Sequence, residues 1–121
     1  MKENNLKIKS FLFSIRVVNL CKYLVAEKGE YLLSKQVLRS GTSVGALVRE
    51  AEHSESKNDF IHKLAIAQKE INETIYWLEL LRATDYINEE EFESINLDAV
   101  EIIKILTTII KNTKAKLVVS G

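Results

Sequence analysis

Phe92-Glu93-Ser94-Ile95-Asn96-Leu97-Asp98-Ala99-Val100-Glu101-Ile102-Ile103-Lys104-Ile105-Leu106-Thr107-Thr108-Ile109-Ile110 is the stretch that decides the fold. Its residues Phe92, Ile95, Ala99, Ile102, Leu106 and Ile109 recur in steps of 3, 4, 3, 4 and 3. That is the a/d spacing of a helix lying lengthwise against its neighbours. Val100, Ile103 and Ile110 widen the stripe beyond a narrow seam, so the helix is expected to touch several partners.

Three earlier segments repeat the pattern. From about Leu6 to Glu27, Ile8, Phe11, Ile15 and Val18 form one stripe, and Phe13, Val17, Leu20 and Leu24 form a second beside it. From about Tyr31 to Ser54, Leu33, Val37, Val44, Leu47 and Ala51 share a face. From about Lys57 to Thr84, Phe60, Leu64, Ala67, Ile71, Leu78 and Leu81 share another. The breaks between segments are short. Gly29 suits the left-handed position that ends the first helix. Ser56 suits the N-cap of the third. Asn88 suits the N-cap of the fourth, whose first turn is Glu89, Glu90 and Glu91. Short connections make successive helices antiparallel. The expected fold is all-α, an antiparallel up-down-up-down four-helix bundle.

Composition agrees. The chain has 121 residues and no proline, the strongest helix breaker. Its length suits one domain, 1–121, with an ordered core about 6–114 and a tail from Lys111 expected to fray. Hydrophobic residues make up 46%, too many for a disordered chain. One cysteine excludes a disulfide scaffold and a Cys-rich zinc site. No apolar run reaches the roughly 18 residues of a membrane span. Met1-Lys2-Glu3-Asn4-Asn5 is polar, so a cytoplasmic protein is expected.

The second helix carries Ser40, Gly41, Thr42, Ser43 and Gly45, poor helix formers. A loop is the alternative. Val37, Val44 and Ala51 nevertheless keep a seven-residue phase across the cluster. One continuous helix is expected, its small residues letting another backbone approach closely. A phosphate loop would need a preceding strand and a Gly-Lys-Ser/Thr run, and neither is present.

Other constellations carry little chemistry. Glu50-His53 and Asp59-His62 have the Glu-x-x-His spacing of di-metal bundles. Both pairs lie off or beside the apolar stripes, next to one turn, and read as surface side chains. No metal and no cofactor is expected. Cys21 has no base beside it in sequence and reads as a small core residue. Ser40, Thr42 and Ser43 lack an identifiable Ser-His-Asp set. The chain is expected not to be an enzyme, and no small-molecule substrate suggests itself. Tyr76 and Trp77, beside Leu78, Leu80 and Leu81, are candidate anchors of an oligomer interface. Leu32, Leu38 and Val48 give the second helix a similar apolar excess off its main stripe.

The net charge is zero, but its distribution is not even. Residues 1–49 hold nine basic and three acidic side chains, net +6; residues 50–110 hold five and fourteen, net −9; residues 111–121 hold three lysines. In the bundle, Lys2, Lys7, Lys9, Lys111, Lys114 and Lys116 should gather at one end. Glu50, Glu52, Glu55 and Asp59 belong to the same end, on the other two helices. Such a split suits a head-to-tail contact between copies, which closes into a ring if the rotation allows. Lys2, Lys7, Lys9, Arg16, Lys111, Lys114 and Lys116 are also candidates for binding RNA or DNA phosphates.

Two long motifs resemble a known family. One is Leu33-Ser34-Lys35-Gln36-Val37-Leu38-Arg39-Ser40-Gly41-Thr42-Ser43-Val44-Gly45-Ala46, followed by Arg49-Glu50-Ala51. The other runs through Ser56-Lys57, Asp59-Phe60-Ile61-His62-Lys63-Leu64, Ile66-Ala67, Lys69-Glu70, Glu73-Thr74 and Tyr76-Trp77-Leu78-Glu79-Leu80-Leu81. Over about residues 6–114 the chain resembles the four-helix-bundle proteins encoded in intervening sequences of 23S ribosomal RNA genes. Leu47 departs from the family's common Asn and points to an apolar contact there. The resemblance implies a homopentameric ring, with no known activity and no cofactor. It also implies kinship with accessory proteins of diversity-generating retroelements, which are similar bundles that bind a reverse transcriptase and nucleic acid. On this pattern Arg39, Ser40, Thr42, Ser43 and Glu50 are the polar signature positions, read as structural or interfacial. Partner binding through self-assembly is the first expectation. A nucleic-acid or ribonucleoprotein role through the basic patch is the second.

Overall fold

The structure, a computed structural model, describes the backbone of residues 2–120 and the side chains of residues 4–118. Four helices follow in order: α1 (Lys2–Lys28), α2 (Leu32–Ala51), α3 (Lys57–Ala83) and α4 (Glu89–Ser120). Among the described residues, α1 packs on α2, α2 on α3, α3 on α4 and α4 back on α1, with no diagonal contact. This is the expected antiparallel bundle. The α4 stripe faces inward along its whole length: Ala99 and Leu106 are fully buried, and Phe92, Ile95, Ile102 and Ile109 are nearly so.

The turns are built from local chemistry. Gly29 ends α1 at φ 63°, a region only glycine enters cheaply. The carboxylate of buried Glu30 then caps α2. It accepts from the amides of Leu32, Leu33 and Ser34 at 3.1, 3.0 and 2.7 Å. Those are otherwise orphan donors of the first turn. Ser56 caps α3 by accepting from Asp59 N at 3.0 Å. Asn88 and Glu91 cap α4 reciprocally, each side chain accepting the other's amide at 2.8 Å.

α2 is continuous through Ser40 to Gly45, and the small residues do bring another backbone close. A Cβ on Gly41 would lie 2.8 and 2.9 Å from the Val17 methyls, and one on Gly45 would lie 3.3 Å from the Ser10 carbonyl oxygen.

Two expectations are corrected. Only one of the two α1 stripes is core. Phe13, Val17 and Leu24 are buried and are joined by Leu6, Ser10 and Cys21, while Ile8, Phe11 and Ile15 are exposed. One helix in a square bundle has two neighbours, which occupy one side of it. Val48, read as off the α2 stripe, is buried at 4%; Leu32 and Leu38 stay exposed. The segment from Lys111 lies within α4, which runs to Ser120.

Ile102 is 1% exposed. Ile102→Asp is therefore expected to unfold the bundle, since burying one such aliphatic contributes about 1.5–3 kcal/mol and an unpaired buried charge costs more. Circular dichroism and thermal melting test this, and an unchanged melting temperature would contradict the placement of the α4 stripe. Gly41→Leu is expected to destabilise by about 1–3 kcal/mol through overpacking on Val17. Urea unfolding measures it; a midpoint equal to wild type would contradict the close approach.

Candidate functional site

The two motifs meet along the α2–α3 seam. Ser40 is fully buried and donates to the Gln36 carbonyl at 2.9 Å. That leaves its oxygen free to accept from Thr74, 2.8 Å away on α3. Ser43 donates to the Ser40 carbonyl at 2.7 Å and lies 3.3 Å from the Glu70 carboxylate. Arg39 reaches across to Glu70 at 3.3 Å and also pairs with Glu73. The Trp77 indole N–H donates to Glu73 at 3.0 Å, and the Tyr76 ring stands edge-on to Trp77, centroids 5.0 Å apart. Glu50 at the far end of α2 accepts from Lys63 at 3.2 Å, and Thr42 bonds back to the Leu38 carbonyl.

These groups do structural work. Buried hydroxyls are costly unless bonded, and here each has a partner. The exposed ion pairs contribute about 0–1 kcal/mol each and mainly fix register. Arg39, Ser40, Thr42, Ser43 and Glu50 thus hold α2 to itself and to α3. Leu47 is partly buried against the core, which suits an apolar residue at that position. Glu70, Glu73 and Thr74 complete the network. Their positions in the second motif were visible, but their pairing needed the register of α2 against α3.

The basic residues do not form one open row. Lys7 pairs with Glu52 at 3.2 Å, Lys9 with Glu101 at 2.5 Å, and Arg16 with Asp98 at 2.8 Å and with the Ser94 carbonyl at 3.0 Å. The basic and acidic groups at this end were expected to serve different copies; in part they neutralise each other within one chain. Lys111, Lys114 and Lys116 are exposed on the last turns of α4. The Lys2 side chain lies outside the described residues.

Among the described residues, no three His, Cys, Asp or Glu side chains converge into a metal-holding group. His53 and His62 are exposed. An open groove of about 490 Å³ lies between α1 and α4, with Leu20, Tyr23, Ile87 and Ile95 below and Arg16 and Glu90 at its rim. Cys21 is buried on α1 and donates to the Ser34 carbonyl at 3.2 Å. Burial, and then the nearby Glu30 charge, push its thiol up from 9.0 to about 11. A protonated thiol is a poor nucleophile at neutral pH.

The family model of the 23S rRNA-intervening sequence protein matches residues 2–108. The chain belongs to that family. A crystal structure of a protein of unknown function from the S23 ribosomal protein family of Bacteroides thetaiotaomicron VPI-5482 has the same fold, with a TM-score of 0.91. It is 59% identical, over 92% of this chain and 99% of that one. No curated protein matches. In this member of the 23S rRNA-intervening sequence family, the α2–α3 network explains the two motifs as packing chemistry. No helix among the described residues is long and apolar enough to cross a membrane.

Cys21 gives a pH test. Its folded pKa is raised, so the unfolded chain loses this proton first. Stability from the neutral thiol is full below pH 9.0 and is lost as pH rises toward about 11. Urea unfolding of wild type and Cys21→Ala should show the difference between them shifting against wild type over that window. A constant difference would contradict the buried neutral thiol.

Proposed function

We propose that the protein is a non-enzymatic helical bundle that assembles with copies of itself into a ring, a homopentamer, and acts in the cytoplasm by binding a partner. The observation that carries this reading is the second face of α1. Ile8 is 59% exposed, Phe11 49%, Leu12 57% and Ile15 43%, all on the side turned away from the bundle. Exposed apolar surface of this extent on a small soluble chain marks an interaction site. Tyr76 and Leu38 add apolar surface on other helices. The pentamer count rests on the family resemblance.

A second reading is an accessory protein that binds RNA or DNA, in the manner of the bundles associated with diversity-generating retroelements. What favours it is the exposed run Lys111, Lys114 and Lys116 on α4. Lys7, Lys9 and Arg16 could join, because their exposed ion pairs are weak enough for a phosphate to displace.

Light scattering on the purified protein at micromolar concentration tests the first reading. The expected mass is five times the 13.8 kDa chain. A monomer at every concentration would overturn it. Electrophoretic mobility with RNA and with single-stranded DNA tests the second. It expects a shift that weakens steeply with salt; no shift at low salt would defeat it.

A further inference from the structure

α1 carries two seams of coiled-coil spacing. The inner one is spent on the core. The outer one is Ile8, Phe11, Ile15, Val18, Lys22 and Val25, in steps of 3, 4, 3, 4 and 3. Val25 is 39% exposed, Val18 half-buried, and Lys22 exposed. Within the bundle, among the described residues, only the Arg49 guanidinium of α2 leans over this seam, 5.1 Å from the Phe11 ring centroid, and leaves Ile8, Phe11 and Ile15 exposed. The spacing of the seam fits another helix rather than a loop or a small ligand. Lys22 is its one charged position, so a covering helix gains by placing a carboxylate opposite.

α3 offers such a surface. Tyr76, Glu79 and Ala83 follow one another on its outer side in steps of 3 and 4. With Leu80 and Arg82 they line a shallow hollow of about 250 Å³. Tyr76 is 57% exposed, and Trp77, anchored on Glu73, stands edge-on to its ring.

The heights match. Val17 rests on Gly41, and the next residue, Ser40, is bonded to Thr74. α1 and α3 run in the same direction, so Val17 and Thr74 are level. Lys22 and Glu79 each lie five residues further on and are level too. α1 and α3 occupy diagonal corners, so these two faces point apart and cannot meet within one chain. Charge also divides at this end of the bundle. Lys22, Lys28 and Lys35 are exposed on α1 and α2 against one exposed carboxylate, Glu27, whereas Glu79, Asp85, Glu90 and Glu93 are exposed on α3, α4 and the turn joining them.

We infer that the outer seam of α1 docks on the outer face of α3 of a second copy, with bundle axes near parallel. Lys22 then meets Glu79, while Val18 and Val25 pack against Tyr76 and Leu80. The contact joins two different faces and is heterologous. Repeated through opposite faces it sets copies side by side, and that row bends into a ring where each contact is turned off the straight line by a fixed fraction of a full turn. This inference rests on the self-assembly reading and names its interface.

The test compares masses by sedimentation, with circular dichroism confirming the fold. Ile15→Asp and Tyr76→Asp, both at exposed positions, are expected to keep wild-type helicity and lose assembly. Lys22→Glu and Glu79→Lys are each expected to weaken assembly about tenfold, and the double charge swap to restore it. Wild-type mass in Ile15→Asp or Tyr76→Asp, or no restoration by the swap, overturns the interface while the assembly reading stands. A monomeric wild type defeats the assembly reading itself. Loss of assembly in Ile15→Asp with Tyr76→Asp unaffected would point instead to an α1-to-α1 contact and also overturns this inference.

Discussion

The close approach of α2 to α1 is the constraint on which the rest of the structure depends. Gly41 has no room for a methyl group beside Val17, and Gly45 lies against the Ser10 carbonyl. The contact fixes which way α1 faces. Once Val17 is directed at Gly41, Leu6, Phe13 and Leu24 follow it into the core. The opposite side of the same helix, with Ile8, Phe11 and Ile15, is then left outside. On the far side of α2, the Ser40 hydroxyl meets Thr74, so the same helix sets the height of α3. A stretch that propensity alone would make a loop is held as helix by what it allows to pack around it. Tertiary contact outweighs intrinsic preference here, as it often does for residues that cost only about 0.5–1 kcal/mol each in a helix.

Much of this was legible in the sequence. The α4 stripe was unambiguous because its six core positions have one period and no competing face. Ser56 and Asn88 announced two helix starts because their short side chains are the usual caps. Gly29 announced a stop. Other features were not legible, for physical reasons. The two α1 stripes have the same spacing and similar residues, so periodicity could not choose the inner one. Only the crossing at Gly41 does. Glu30 does not read as a cap in the sequence, because a glutamate is an uncommon choice for that task and its burial depends on the turn closing over it. Val48 falls outside the periodic stripe yet is buried, because the α2 core face is wider than a seam, reaching both α1 and α3. The motif residues and their structural character are legible, but their partners are not: whether Arg39 reaches Glu70 or open solvent depends on register between helices.

The charge pattern shows the same division. Net charges of +6 and −9 in successive segments suggested a polarised end where the chain termini meet. At that end the structure pairs Lys7 with Glu52, and further along α1 it pairs Lys9 with Glu101 and Arg16 with Asp98. Antiparallel neighbours of opposite charge neutralise each other first. What survives is at the other end, with an excess of lysines over the single exposed Glu27 on α1 and α2 and an excess of carboxylates on α3, α4 and their connecting turn. A neutral chain thus retains complementary faces, and the apolar seam of α1 runs into the basic one.

Self-association through that seam is the central claim, and cysteine cross-linking tests it most directly. In a chain with Cys21→Ala, Lys22→Cys and Glu79→Cys, the two new thiols sit on diagonal helices and cannot join within one copy. Mild oxidation should give a ladder of covalent oligomers on a non-reducing gel, each single-cysteine control remaining unlinked. A monomer band alone, or dimers from the Lys22→Cys control, would contradict the head-to-tail contact.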